Sequence, residues 1–422
     1  MTVLTADVID LLAGLPAGAP LRGVRELRPR ARENAQRSFA ALLEPADPRG
    51  VPLAERYAVA FFVAALHDDD DAARFYADLL DDEAPPLRDP LVRAAAAGRT
   101  TGPVGVYREP ELSGESGPTV AFGVPDALVT ALGDRLTAAL EHAHLLVIRP
   151  RESSSDALRA LVAAGWDADQ IVTLSQLVSF LTFQLRVAAG LRVLAGRSTT
   201  AWASTADAVP PGSPHGILAP TALVSDAGDL ARPAAFTQQG LGWVPWLRPL
   251  DRDELSAEQR DSLIEPARAG MPYFRLLARD PEALRARTLT DLDIFTNTDG
   301  GLPRSARELA AAVASRRNGC VFCASVHAAV ATRESGRGDD VQRLLDEGVD
   351  ADLGDPTWNA VSAASAALAA TPPAFSGTHV EELRAAGLDE VAIVDVVNGA
   401  AFFSWANRLM LSLGEPEVPA RR

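Results

Sequence analysis

The sequence predicts an all-α protein built as two tandem, homologous helical bundles, and three observations predict it. The 422-residue chain is 47 % hydrophobic but only 6 % aromatic, with alanine supplying much of the apolar content. Alanine is the strongest helix former, and its small side chain lets helices approach closely. Apolar residues recur at helical spacing along most of the chain, whereas alternating strand patterns are scarce. A segment of the first half also returns in the second, 222 positions later.

Helical periodicity marks Leu53–Leu80 as one or two helices, Ala127–Val147 as one, and Ala157–Leu194 as a pair. The stretch Ser198–Gly242, which includes AVPPGSPHGILAP, is dense in Pro, Gly and Ser and reads as an ordered loop or linker. Beyond it, helices are expected over Ala257–Ala278, Ser305–Ser315, Val321–Glu334, Trp358–Ala370, Val380–Ala386 and Asp389–Ser412. The length allows two to three domains. The division read here is a helical domain over 1–200 without cysteine, a linker over 201–242, and a second helical domain over 243–422.

The recurrence sets Leu161–Arg186 against Leu383–Arg408. Gly165, Asp167, Ile171, Val172, Phe180 and Arg186 fall on Gly387, Asp389, Ile393, Val394, Phe402 and Arg408. Gly followed by Asp marks a helix stop and a new start. Helix–turn–helix units in alanine-rich proteins resemble one another by chance, but the aligned Gly-x-Asp, Ile-Val and terminal Arg favour duplication. A weaker match pairs Pro52–Arg56 with Pro303–Arg307.

The formal net charge of −16 repels phosphates, so nucleic acid and anionic membranes are poor partners. Asp7 and Asp10 stand where a secretory signal needs basic and then apolar residues. Runs such as Leu174–Leu185 are interrupted by Ser, Gln and Thr and are expected to fall short of the ~20 residues of a membrane span. The expectation is a cytoplasmic protein.

The only two cysteines, Cys320 and Cys323, lie three positions apart. That spacing points to redox or metal chemistry rather than a disulfide scaffold. Asn318-Gly319 is a helix stop, so the pair is expected in the first turn of the next helix. There, free N–H groups and the helix dipole favour an anion. Thiol pKa falls from ~8.5 to ~3.5–7.5 in such settings. Cys320, Cys323 and His327 share one helix face, with His327 one turn past Cys323. Glu308, on the preceding helix, completes a proton relay if the two helices pack side by side, because a carboxylate fixes the tautomer of an imidazole and raises its basicity. Arg316 and Arg317 add positive charge nearby.

Glu308 followed by NGCVFCASVH resembles the alkylhydroperoxidase D / carboxymuconolactone decarboxylase superfamily, and Asn407-Arg408-Leu409 to Gly414 is similar to its peroxidase-related branch. The resemblance is clear over roughly Asp251–Glu415 and fainter, to members without the thiols, over Pro52–Leu194. It implies an all-helical fold, a homo-oligomer and a two-cysteine peroxidase cycle. In that cycle Cys323 attacks a hydroperoxide and becomes a sulfenic acid, and Cys320 condenses with it to a disulfide. Glu308 and His327 move protons, and a dithiol donor, a lipoyl or thioredoxin-like protein, reduces the disulfide. The spacing itself supports a reactive dithiol without saying which cysteine attacks. Where family peroxidases can carry a further His, this chain has Val321 and Phe322.

In the Pro52/Pro303 register, Tyr57, Asp69, Ala72 and Tyr76 fall opposite Glu308, Cys320, Cys323 and His327. The first half therefore cannot run thiol chemistry. It reads as a degenerate copy, or as a thiol-free pocket using His67, Asp68–Asp71 or Tyr76. His67 and the four aspartates after it are most simply a solvated helix break.

Zinc would need about four ligands, and Cys320, Cys323 and His327 do not find a fourth. His142 and His144 point to different faces and read as surface or packing residues. His215 and His379 form no pair with them. No Gly-rich phosphate loop follows a strand, so no metal, flavin or haem is expected. Trp243 and Trp246 read as core or as lining of the approach to the site. Glu308 pairing only with Arg304 or Arg307 is the plainer alternative to the relay. The competing functions are a lactone enzyme of the decarboxylase type, which does not need the thiols, and a non-catalytic oligomeric scaffold.

Overall fold

A computed structural model describes residues 7–420 apart from 118, 120, 204–209, 214–220, 227 and 298. His215 and most of AVPPGSPHGILAP lie outside the described residues. The protein is 64 % helical with one small two-stranded sheet among the described residues, as the composition predicts. That sheet pairs Gly242–Pro245 antiparallel to Gly414–Glu417, so the start of the second half is tied to the end of the chain.

At the centre lie two long helices, Ala168–Leu194 and Glu390–Leu413. At 1.5 Å per residue each is about 35–40 Å long. They pack through interlocked rings, with Phe180 against Trp405 at 5.2 Å and Phe183 against Phe402 at 6.1 Å. Each fully buried ring contributes roughly 1.5–3 kcal/mol. Thr182 Oγ1 donates to the Ser404 carbonyl at 3.2 Å, in the overlap of the two repeated segments. Both helices start as the Gly-x-Asp pattern requires. Gly165 (φ +93°) and Gly387 (φ +89°) turn left-handed, and Asp167 and Asp389 accept the first-turn N–H groups of Gln170 and Ala392.

The first of these helices corrects one expectation. Ala168–Leu194 is long and apolar enough to cross a membrane, but 89 % of its most apolar window is buried inside the fold. Its interrupting Gln and Ser residues are buried as well, so the run belongs to the core.

Around this pair the helices come in two series of the same order. Leu53–Leu66, Asp70–Glu83, Arg88–Gly98, Asp134–Ile148 and Ser155–Ala163 precede the first long helix, with one extra short helix, Asp126–Leu132, inserted before the fourth. Arg304–Asn318, Val321–Ser335, Gly338–Glu347, Pro356–Ala369 and Gly377–Ala385 precede the second. Arg56 and Arg307 do the same work at the head of each series. Arg56 Nε donates to the Val51 carbonyl at 2.8 Å and Arg307 Nε to the Leu302 carbonyl at 2.6 Å, so each arginine folds its preceding loop onto its helix.

Two expected helices are broken. Ala127–Val147 is split at Gly133 (φ +77°) into Asp126–Leu132 and Asp134–Ile148. Ala257–Ala278 is interrupted because Pro266 and Pro272 each open a new short turn. The structure also adds Pro29–Leu43 and Pro281–Thr296, which pack on each other across the halves. Asp293 Oδ2 accepts the Ala31 N–H at 2.7 Å, and Arg28 makes two 2.9 Å bonds to the buried Asp395.

The halves are also joined by two buried arginines that cap helix ends reciprocally. Arg186 donates to the Leu368, Ala369 and Ala370 carbonyls at 2.9–3.2 Å and to Thr371 Oγ1 at 2.7 Å. Its counterpart Arg408 donates to the Val147 carbonyl at 3.2 Å. A cation at a helix C-terminus meets both the orphan carbonyls and the negative end of the dipole.

His142 and His144 are buried packing residues. His142 Nε2 lies 3.2 Å from Ser175 Oγ; His144 Nε2 lies 2.9 Å from the Gly98 carbonyl, its ring stacked on Phe122. Burial lowers them to about 4 and about 3. In the unfolded chain both titrate near 6.5. Below that pH the unfolded state binds protons that the folded state refuses. Stability is therefore full above pH 6.5 and falls toward pH 4, by up to about 2.7 kcal/mol per pH unit for the two together. Urea midpoints at pH 7.5, 6 and 5 should drop in that order; equal midpoints would refute the assignment.

Candidate active site

The helix Arg304–Asn318 ends on Gly319, whose left-handed φ of +80° lets the Cys320 N–H return to the Ser315 carbonyl at 2.9 Å. Any other residue would be strained there. Cys320 is the N-cap of the next helix, Val321–Ser335, and Cys323 lies within its first turn. Both thiols are free and buried. The two helices pack side by side. His327 Nδ1 meets Glu308 Oε2 at 2.6 Å, and Glu308, itself buried, also receives Arg304 Nε at 3.4 Å. The relay partner and the helix-end partner are thus both present on one carboxylate. The Phe403 ring stands edge-on to the imidazole at 4.0 Å, with Phe295 at 5.7 Å, which restricts its rotation.

The two sulfurs differ. Burial pushes the Cys320 thiol well up, and its S–H is held by the Cys323 sulfur. Burial also pushes on Cys323, but the Cys320 hydrogen bond, the His327 charge, the Asn407 side chain and the Arg287 guanidinium together bring it below the usual thiol range. The dipole argument read from the sequence places an anion in this turn; the asymmetry comes from these four neighbours.

Arg287 escaped the sequence reading, and Asn407 entered it only within the Asn407-Arg408-Leu409 resemblance, with no role at the thiols. Asn407 is fully buried on the second long helix. Its Oδ1 accepts the Asn318 Nδ2 at 2.9 Å and its Nδ2 donates to Ser315 Oγ at 3.0 Å, which leaves an N–H for the sulfur. Arg408 Nη1 donates to Asn318 Oδ1 at 3.4 Å, and burial lowers that guanidinium to about 9, so it stays cationic at neutral pH. Asn318 is thus a stop signal in sequence and a link in a polar chain in space. A polar residue at an otherwise apolar helical position was the available signal for Asn407. Arg287 lies on Pro281–Thr296, buried against the Phe402 ring at 5.1 Å.

Other expected charges are already engaged. Arg316 is held by Glu115 at 2.6 Å, so its charge is not free for the thiols. Trp243 combines both roles read for it: it is buried and it lines a small cleft beside Cys320. Trp246 is buried, with Nε1 3.2 Å from Glu415. His379 caps its own helix through Ser376.

In the first half the expected solvated break is buried instead. His67 and Asp69 are almost fully enclosed. His67 donates from Nδ1 to the Val63 carbonyl and receives Arg186 at Nε2, 2.8 Å each, while Asp69 caps Ala72 and pairs with Arg192 at 2.6 Å. Asp68 pairs with Arg99 at 2.5 Å, and Tyr76 donates to Gln184. Tyr57, the residue opposite Glu308, is also buried.

Fold and site together define an all-helical protein with a buried, asymmetric dithiol beside a carboxylate–imidazole pair. Residues 281–366 match the model of the carboxymuconolactone decarboxylase family, a span that includes Arg287, Glu308, both cysteines and His327. Among solved structures the chain is similar to the apo crystal structure of the debrominase Bmp8, with 20 % identity over 38 % of this chain and 86 % of that one and a TM-score of 0.30. No curated protein matches the chain.

Proposed function

We propose that this protein is a thiol-dependent peroxidase of the alkylhydroperoxidase type. The observation that carries the reading is the Cys323 sulfur, pulled toward thiolate by Cys320 and Asn407 with the His327–Glu308 pair beside it. In the proposed cycle the Cys323 thiolate attacks the peroxide, the O–O bond breaks, and an alcohol leaves with a proton delivered through His327 and Glu308. Cys323 is then a sulfenic acid. Cys320 attacks it, water leaves, and a disulfide forms. A dithiol donor returns two electrons and two protons.

The two helix series are read as copies of one unit, the first without thiols. The homo-oligomer and the lipoyl or thioredoxin-like donor belong to the proposal through the family resemblance, and the cytoplasmic location through the sequence. A lactone-decarboxylating activity is the second reading. It is favoured by the family match alone, and it leaves the thiol asymmetry without a use.

The test is thiol counting on the reduced protein before and after one equivalent of an organic hydroperoxide. Loss of both thiols, restored by a dithiol, is expected. Retention of both would refute the cycle and turn attention to the lactone chemistry.

A further inference from the structure

The cleft beside Cys320 is not built by the thiol-bearing half alone. Arg108, Glu109 and Arg151 come from the first half and meet Gly319, Cys320 and Trp243 of the second; Cys323 is not in the lining. The enclosed space is about 20 Å³, room for one water. A space of that size admits a single reacting atom and leaves no room for the rest of a ligand.

The rim of the cleft is cationic in a chain whose net charge is −16. Arg151 stacks over Tyr107 at 4.3 Å and donates to a neutral acceptor, the Arg317 carbonyl, at 2.9 Å; its buried Nε has no partner among the described residues. It lies so close to Gly319 that an added Cβ there would come within 2.9 Å of Nε. Arg108 stacks over Trp246 at 5.2 Å. Its nearest carboxylate, Glu415, stands 3.8 Å away and is already held by Arg232 at 2.6 Å and by Trp246. The carboxylate in the cleft itself, Glu109, is buried, and burial pushes its carboxyl up from the usual range. Two guanidiniums thus share the cleft with Glu109, while Glu415 and Glu115 are engaged by Arg232 and Arg316.

We propose that Arg108 and Arg151 form a carboxylate-binding rim that brings an anionic small thiol to Cys320. The inference rests on the dithiol cycle and changes its reducing step, putting a small anionic thiol in place of the lipoyl or thioredoxin-like protein. The thiolate of the donor attacks the Cys320 sulfur of the Cys320–Cys323 disulfide. The S–S bond breaks and its electron pair leaves on Cys323, the sulfur whose thiolate is the better stabilised and so the better leaving group. A second donor thiol attacks the mixed disulfide, the oxidised donor departs, and Cys320 takes up a proton. The Cys-free half thereby gains a role: it selects the charge of the molecule that reaches the thiol.

The test uses the full-length Cys323→Ser protein, whose single thiol is Cys320, and two reagents that deliver the same electrophilic carbon. Iodoacetate carries a carboxylate and iodoacetamide is neutral. Because both read the same thiolate, their rate ratio reports charge selection, and the neutral reagent alone reports accessibility. The ratio is expected to be at least about 5-fold above that of a small free thiol. It should return to that value in Arg108→Gln/Arg151→Gln and recover in Arg108→Lys/Arg151→Lys, with iodoacetamide rates little changed. A ratio no higher than the free thiol, a ratio indifferent to the arginines, or no alkylation of the folded protein by either reagent overturns the proposal. Alkylation needs no peroxide, so failure of the cycle would appear separately, in thiol counting on the wild-type protein.

Discussion

Cys323→Ser is expected to abolish hydroperoxide turnover, a loss of at least about 10³-fold, as for removal of other nucleophiles. Serine retains the shape of the site but offers a hydroxyl that no neighbour here can ionise at neutral pH. Cys320→Ser is expected to behave differently. It keeps the nucleophile and should consume one equivalent of peroxide per site, then stop at the sulfenic acid, because the second sulfur is missing. The contrast follows from the two environments: Cys323 draws on Cys320, His327, Asn407 and Arg287, while burial and its own S–H bond hold Cys320 as the thiol. Peroxide consumption with mass spectrometry of the trapped products checks both. Full activity in Cys323→Ser would remove this cysteine from the mechanism.

Arg186→Ala is expected to lower the unfolding free energy by about 3–5 kcal/mol, the range seen when one member of a buried charged network is removed. The loss strips the Leu368, Ala369 and Ala370 carbonyls and leaves His67 Nε2 without its donor. Each buried polar group left unmet costs about 1–3 kcal/mol. Arg186→Lys should recover only part, since an ammonium does not reproduce the planar fork. The exposed Arg37, paired with the exposed Glu33, supplies the control: Arg37→Ala should stay within about 0.5 kcal/mol of wild type. Urea titrations of the three proteins check the order, and an Arg186→Ala midpoint equal to that of Arg37→Ala would contradict it.

What the sequence made legible was local. Gly165-x-Asp167 and Gly387-x-Asp389 specify a stop and a cap through their own backbone and side chains, and both form as read. The Glu308–His327 contact follows from two helices joined by the two-residue turn Gly319-Cys320. Pro29–Leu43 and Pro281–Thr296 were invisible for a physical reason. Their buried faces carry Asn34 and Ser38, and Arg287, Thr290 and Asp293, so apolar periodicity does not mark them. The burial of His67 and Asp69 depends on Arg186 and Arg192, more than a hundred residues away, and so does not show in the run of aspartates. The same holds for Asn407, whose partners Ser315 and Asn318 lie about ninety positions upstream.

The reciprocal arginine caps also set an order in time. The Val147 carbonyl is met by Arg408, which the ribosome adds 261 residues later. At bacterial-to-eukaryotic elongation rates of about 5–20 residues per second, that interval is roughly 13–50 s. Arg186 waits in the same way for Leu368, 182 residues downstream. The first half therefore leaves the ribosome with the Val147 carbonyl lacking its arginine, and with Arg186 bonded to His67 and the Thr182 carbonyl but not yet to the helix end it caps. Its packing can be completed only when nearly the whole chain has been made, which places the final folding step at the end of translation rather than along it.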